Sequence, residues 1–249
     1  MSRTKMSDSK SPAVSMRSED VARRLAANPR LQENRPTEYA LKRFLDMLLA
    51  IGGLVFTAPV WLLLMAAIKL EDGGPIFYWQ DRWGRGGTRF RATKFRSMVK
   101  HADTVWGSVQ AKENDPRITR VGRLMRRTAL DELPQLLNIL RGEMTFVGPR
   151  SLPINERQLN EPNPEVPDTA IPNFDVRGRV RPGLTGLAQV YAPRDVNRRN
   201  KFRYDALYVR RQSFWLDCRL IYLSVWISLR GGWERRSQWA QRLKSAPRK

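Results

Sequence analysis

The apolar positions of this chain fall into one long block and several short periodic ones, separated by polar, turn-rich stretches. Residues 1–38 carry scattered Ser, Arg and Pro without an apolar period, which predicts a disordered or loosely ordered basic tail. No apolar stretch follows its first basic residues, so the tail does not read as a signal peptide. From Phe44 to Ile68 the run FLDMLLAIGGLVFTAPVWLLLMAAI carries only Asp46 as a charge and is framed by Lys42, Arg43 and Lys69. An α-helix of about 20 residues crosses a bilayer core, so a membrane helix is predicted here, with an internal core helix as the plainer alternative. Pro59 near the middle removes a backbone hydrogen bond, and Gly52 and Gly53 weaken the first half, so the helix is expected to kink. Both flanks are basic, and cytoplasmic flanks attract positive charge, which places both ends on one side. The pattern therefore predicts a kinked, re-entrant hairpin over residues 39–72.

Beyond it, Gly73, Gly74 and Pro75 make a turn, and IFYWQDRWG supplies aromatics and arginine suited to a membrane interface. RFRATKFRSM, from Arg89 to Met98, alternates in part like a half-exposed strand, with Arg89, Arg91, Lys94 and Arg96 read as a solvated face. Val121, Leu124 and Met125 recur at helical spacing and predict a basic helix ending near Thr128. A second helix is expected from Asp131 and Glu132, with Pro134 in its first turn, an apolar stripe of Leu133, Leu136, Leu137 and Leu140, and closure at Arg141 and Gly142. Residues 151–178 read as a long loop, and 179–190 (RVRPGLTGLAQV) as backbone able to approach a bound group closely. Phe214 to Leu229 is apolar but holds Asp217 and Arg219, which suits an interfacial helix or a packed core helix equally.

Charge narrows the possible partners. A formal net charge of +21 and a pI near 11.1 attract polyanions: nucleic acid, anionic lipid headgroups or clustered phosphates. The single cysteine, Cys218, excludes an internal disulfide and agrees with a reducing setting. His101 is the one histidine, so a two-histidine metal site within one chain is excluded and a carboxylate is the expected acid, base or nucleophile.

Asp131 and Glu132 are the expected centre of the chemistry. At a helix start two successive carboxylates can converge on one ion or phosphate, and the helix dipole favours their ionised forms. Arg126 and Arg127 lie one turn upstream, Arg150 follows a Gly-Pro turn and Arg181 precedes Pro182 and Gly183. Guanidinium forks bind phosphate bidentately, so anionic groups plus a divalent ion would reconcile these acids and bases.

These residues stand in ordered motifs over about Tyr39 to Gly231: KRFLD, GPIFYWQDRWG, TKFRSM, ALDELPQLLNILRGEM, FVGPR, VRPGLTGLAQV and YDALYVRRQSFWLD. In this respect the chain resembles the bacterial sugar transferase family, the small monotopic phosphoglycosyl transferases that start exopolysaccharide, O-antigen or glycoprotein glycan assembly. The resemblance implies a mostly helical α+β, monotopic membrane protein, with a re-entrant helix and interfacial amphipathic helices around a small catalytic domain. That domain would cover residues 73–231 on the cytoplasmic face of the inner membrane, leaving 232–249 as a basic C-terminal tail. It further implies that Asp131 attacks the β-phosphate of a UDP-sugar, releasing UMP, and passes the sugar phosphate to polyprenyl phosphate through a covalent aspartyl intermediate. Glu132, with Asp131, would hold Mg2+, and Arg126, Arg150 and Arg181 would bind phosphate. Anionic membrane lipids are expected partners and nucleic acid is not, while homo-oligomerisation, the sugar and the glycan pathway stay open. The family's Ser-Pro break is Ala58-Pro59 here, Ser151 stands where proline usually ends the Gly-Pro-Arg turn, and Leu187 stands where tryptophan often precedes Ala188. Two rivals remain: a membrane-anchored basic protein that binds nucleic acid or acidic polysaccharide, and an inactive interaction subunit that keeps the fold.

Overall fold

The computed structural model describes residues 36–100, 102, 115–154, 166–192 and 196–229. His101, most of the N-terminal tail, the C-terminal tail and part of the 151–178 segment lie outside the described residues.

The long apolar run forms α1, Pro36–Asp72. At 1.5 Å per residue a helix of 37 residues is about 55 Å long. The helix continues through Pro59, and the expected turn back within 39–72 is not displayed. Two residues before the proline, Thr57 Oγ1 donates to Gly53 O at 2.6 Å, so a side-chain hydroxyl bonds the helix backbone although Ala58 has none.

A β-hairpin follows, made of β1 (Phe77–Trp83) and β2 (Arg89–Phe95), antiparallel with Tyr78 opposite Lys94, Gln80 opposite Ala92 and Arg82 opposite Phe90. Its connection turns on Gly86 and Gly87, whose φ values of 67° and 73° suit residues without Cβ. Helix α2 is Arg120–Thr128, a 3₁₀ turn spans Leu130–Glu132, and α3 is Gln135–Leu140. The expected helix boundary at Thr128 agrees with the structure. The expected second helix instead begins at Gln135, because Pro134 caps it and the acid pair occupies the separate 3₁₀ turn.

Strand β3 (Thr145–Val147) pairs in parallel with β4 (Gly183–Thr185). Gly148 and Gly183 lie so close that a Cβ on either would collide with backbone of the other, which explains glycine at both. Short α4 (Phe174–Arg177) stands where a loop was expected, and α5 (Leu187–Tyr191) overlaps the end of the segment read as backbone able to approach a bound group. The chain then forms α6 (Arg198–Arg211) and α7 (Phe214–Leu229).

Helix α1 is fastened to this body along its length, by different chemistry at each end. Near its start, Lys42 donates to Val147 O (2.9 Å), Tyr208 Oη (3.1 Å) and Asp217, while Arg43 donates to Ile139 O (2.6 Å) and Leu140 O (2.9 Å). Buried Asp46 accepts from Thr145 Oγ1 at 2.7 Å and from Phe146 N at 2.9 Å. Farther along, Trp61, Leu64 and Ile68 pack with Phe95, Met125, Leu130 and Leu133. At the far end Glu71 accepts from Arg120 N at 2.6 Å and Asp72 pairs with Arg96. Arg96 is therefore buried on Asp72, not on the solvated face expected of it.

The opposite side of α1 exposes Phe44, Leu48, Val55, Phe56, Leu62, Leu63 and Leu70. Helix α7 turns the same way: Asp217 and Leu220 are buried, whereas Trp215, Tyr222, Trp226 and Leu229 are exposed. An apolar outer surface with its charge turned inward suits lipid contact better than water. With its long apolar helix, the protein is a mostly helical α+β fold built for membrane association.

Candidate active site

The acid pair is positioned by its own backbone and by the hairpin. Helix α2 ends with Ala129 in the left-handed conformation (φ 58°), which turns the chain into the 3₁₀ segment. Leu130 and Leu133, flanking the two acids, pack into the cluster shared with α1, so the turn rests directly on the membrane helix. Asn138, fully buried on α3, accepts from Thr93 N (3.0 Å) and donates to Arg91 O (2.9 Å), which locks α3 against β2.

That lock brings Lys94 onto the acids. Its Nζ lies 2.6 Å from Glu132 Oε1 and 3.9 Å from Asp131 Oδ2. Arg150 Nη2 reaches the same Glu132 oxygen at 3.2 Å. Lys94 was expected to be solvated; instead its side chain is only 14% exposed. A readable signal existed, because period two from buried Phe90 and Ala92 puts Lys94 on their face, opposite exposed Arg89 and Arg91. Arg82, in the buried phase of β1, was read instead with the aromatics of IFYWQDRWG as suited to a membrane interface.

The two acids differ electrostatically. Burial opposes ionisation of Glu132, but the adjacent Lys94 and Arg150 charges and the Lys94 hydrogen bond outweigh it and hold the carboxyl well below the usual range. Burial pushes Asp131 up; Lys94 opposes the shift and the neighbouring Glu132 charge adds to it. The pair sits in a 3₁₀ turn and not at the start of an α-helix, so its specific neighbours act on it in place of a helix dipole: cations hold Glu132 well below the usual range, and burial raises Asp131. Lys94 is lowered by burial, against the pull of Glu132.

No side chain among the described residues comes within hydrogen-bond distance of the Asp131 carboxylate; its nearest cation is Lys94, at 3.9 Å. Arg126, half-buried on α2, lies within its electrostatic field, as does Arg150. Arg181 enters by another route: its carbonyl packs against Gly148, beside the Gly-Pro-Arg turn. Pairing of Arg150 with Gly183 joins the two arginine-bearing segments.

Magnesium characteristically takes one or two carboxylates and completes its shell with water and substrate phosphate oxygens. Asp131 and Glu132 fit that limited donor set. No group of three or more acidic, histidine or cysteine ligands occurs among the described residues.

A family model described as bacterial sugar transferase matches residues 37–231. The exopolysaccharide production protein ExoY of Sinorhizobium fredii is 38% identical over 205 residues, covering 77% of this chain and 86% of the relative. The exopolysaccharide production protein PSS of Rhizobium leguminosarum bv. phaseoli is 38% identical over 193 residues, 76% of this chain and 94% of its own. The UDP-glucose:undecaprenyl-phosphate glucose-1-phosphate transferase of Escherichia coli is 38% identical over 195 residues, 74% of this chain but 39% of that longer protein.

Proposed function

Because the chain belongs to the bacterial sugar transferase family, we propose that it transfers a sugar 1-phosphate from a UDP-sugar to undecaprenyl phosphate, the first step of exopolysaccharide synthesis. The observation that supports this reading is the unequal acid pair: buried Asp131, whose nearest cation is Lys94 at 3.9 Å, beside a Glu132 whose Oε1 is held by both Lys94 and Arg150. Environments that push two carboxylates apart assign them different roles. Asp131 is the nucleophile and Glu132 the fixed anion that orders the cations.

In the first half-reaction Asp131 Oδ bonds to the β-phosphorus of the donor while the bond from that phosphorus to the bridging oxygen breaks, and UMP leaves with the electron pair. The product is a mixed anhydride of the aspartyl carboxyl and the sugar phosphate. In the second, a phosphate oxygen of undecaprenyl phosphate attacks the same phosphorus, and the Asp131 carboxylate departs. Two displacements replace one. Lys94, Arg126, Arg150 and Arg181 supply positive charge to the diphosphate, and guanidinium keeps its charge at any working pH. Glu132, with Asp131, would hold Mg2+, which would add to the neutralisation of phosphate charge.

The seating follows from the acceptor, a lipid confined to the bilayer surface. The exposed faces of α1 and α7 enter the lipid, anionic headgroups meet the basic surface, and the acid pair lies just above α1 at headgroup depth. One body holds both Lys42 and Asp72, so both ends of α1 lie on one side, in keeping with a helix that dips into a single leaflet of the inner membrane with the catalytic body on the cytoplasmic face; a bend at Pro59 would have to form in the bilayer, since the helix here runs unbroken through that residue. The full chain in nanodiscs, given undecaprenyl phosphate and a panel of UDP-sugars that includes UDP-glucose, is expected to release UMP and form a lipid-linked sugar diphosphate with at least one donor. Salt-sensitive binding of nucleic acid, with no UMP from any donor, would replace the proposal by the binding reading.

A further inference from the structure

The turn that carries Arg150 is fastened from two sides by arginines outside the expected site. Arg82 Nη1 donates to Ser151 O at 3.0 Å and to Ser151 Oγ at 2.8 Å, and its Nη2 donates to Gln80 Oε1 at 2.9 Å. Arg177 Nη2 donates to the carbonyl of Arg150, and its Nε donates to Asp205 Oδ2 at 3.0 Å. The Arg177 guanidinium also lies 4.6 Å from the centre of the Phe202 ring. Two consecutive carbonyls, 150 and 151, thus each end on a different arginine, and both arginines are buried.

This arrangement resists displacement for a simple reason. A buried cation is costly unless it is paired and hydrogen-bonded, so moving the turn would take hydrogen bonds from two buried guanidinium groups at once, leaving Arg177 on Asp205 and Arg82 on Gln80. Asp205, pushed up by burial and pulled down by Arg177, belongs to the same closed unit. Backbone bonds from Trp83 N to Leu152 O (3.0 Å) and from Gly183 N to Pro149 O (2.8 Å) hold the remaining sides. The Arg150 side chain, by contrast, is 47% exposed and leans on Glu132. Its anchor is rigid while its tip faces solvent.

We propose that Arg82 and Arg177 are positioning residues for the transfer: by pinning the carbonyls of Ser151 and Arg150 they deliver the Arg150 guanidinium to the place above Glu132 where the donor's diphosphate binds. The inference rests on the reading of Arg150 as a phosphate ligand. Lysine at either position keeps the charge but not the two-pronged donor geometry.

The test is a double-mutant cycle on UDP affinity, measured by titration calorimetry with the full chain in nanodiscs, with thermal unfolding followed in parallel. Arg150→Ala is expected to weaken UDP about tenfold or more, in line with loss of a charge-assisted pair. Arg177→Lys and Arg82→Lys are each expected to weaken UDP by about three- to tenfold in the native background and by less than about 1.5-fold once Arg150 is alanine, since residues acting through one group are not additive. Asp205→Asn, which frees the Arg177 guanidinium more gently, serves if Arg177→Lys fails to fold, and is expected to show the same dependence on Arg150. Equal losses in both backgrounds, or no loss in the native one, would overturn the positioning role. Unchanged affinity in Arg150→Ala itself would instead remove the reading of Arg150, a result distinct from additivity.

Discussion

Two clusters built from similar residues end in opposite states. Lys42, Tyr208 and Asp217 tie α1 to α6 and α7, and there every charged group is engaged: Lys42 donates to Val147 O, Tyr208 and Asp217, and Tyr208 Oη lies 2.7 Å from Asp217 Oδ1. Lys94, Asp131, Glu132 and Arg150 also surround buried carboxylates with cations, yet the Asp131 carboxylate has no side chain within hydrogen-bond distance among the described residues and Arg150 is half exposed. A closed cluster is scaffold, because its members lose interactions if anything moves. An open one retains capacity for a ligand; burial raises Asp217 in the closed cluster as it raises Asp131 in the open one, so the difference lies in how fully the polar groups are engaged. The distinction, more than the number of charges, separates the site from its frame.

The most severe way to break the open cluster is to remove the Asp131 carboxylate. Asp131→Asn is expected to reduce UMP release by at least about a thousandfold, as loss of a nucleophile does, with unfolding and membrane association unchanged. Glu132→Gln should cost about a hundred- to thousandfold by disordering the cations around the reacting phosphate. Near-native turnover in Asp131→Asn would show that the open cluster is not the site.

A smaller perturbation sharpens the electrostatic half of the contrast. Asp131 must be ionised to attack, and burial raises it, so the rate should fall at acid pH along a limb above the ordinary aspartate range near about 3.9. Lys94 opposes that shift, so Lys94→Met should move the limb to still higher pH while lowering the plateau by about a hundredfold. A limb that stays in place would mean that Lys94 does not govern Asp131.

The closed cluster should respond in the other currency. Asp217→Asn leaves the Lys42 ammonium half-paired in the interior, and is expected to reduce stability by about 3 kcal/mol with little change in turnover by the folded protein. A loss of rate without loss of stability would contradict its assignment as scaffold.

Much of this was legible in the chain, and the reasons for the rest are specific. The basic helix ending at Thr128, the Leu133, Leu136 and Leu140 part of the stripe after it and strand β2 follow from local periodicity, which needs no partner to be read, while fully buried Ile139 stood outside the expected stripe. Lys94 escaped because charge was weighed ahead of strand phase, although Phe90 and Ala92 already fixed the buried face. Strands β3 and β4 are three residues each and exist through packing of Gly148 on Gly183, which no window of sequence contains. The inward turn of Asp217 depends on Lys42, 175 positions away, so an interfacial and a core helix could not be told apart by pattern. Helix α7 is both: packed on its Asp217 and Leu220 side, exposed along its aromatic one.

The most direct test is to mix the protein with UDP-glucose, or whichever UDP-sugar gives turnover, without lipid acceptor, quench in acid and locate the sugar phosphate by mass spectrometry of peptides. The predicted result is one sugar phosphate on the peptide containing Asp131, formed with stoichiometric UMP and discharged on adding undecaprenyl phosphate. A sugar phosphate mapped to another side chain, or UMP released only when the acceptor is present and with no adduct at any time, would contradict the account.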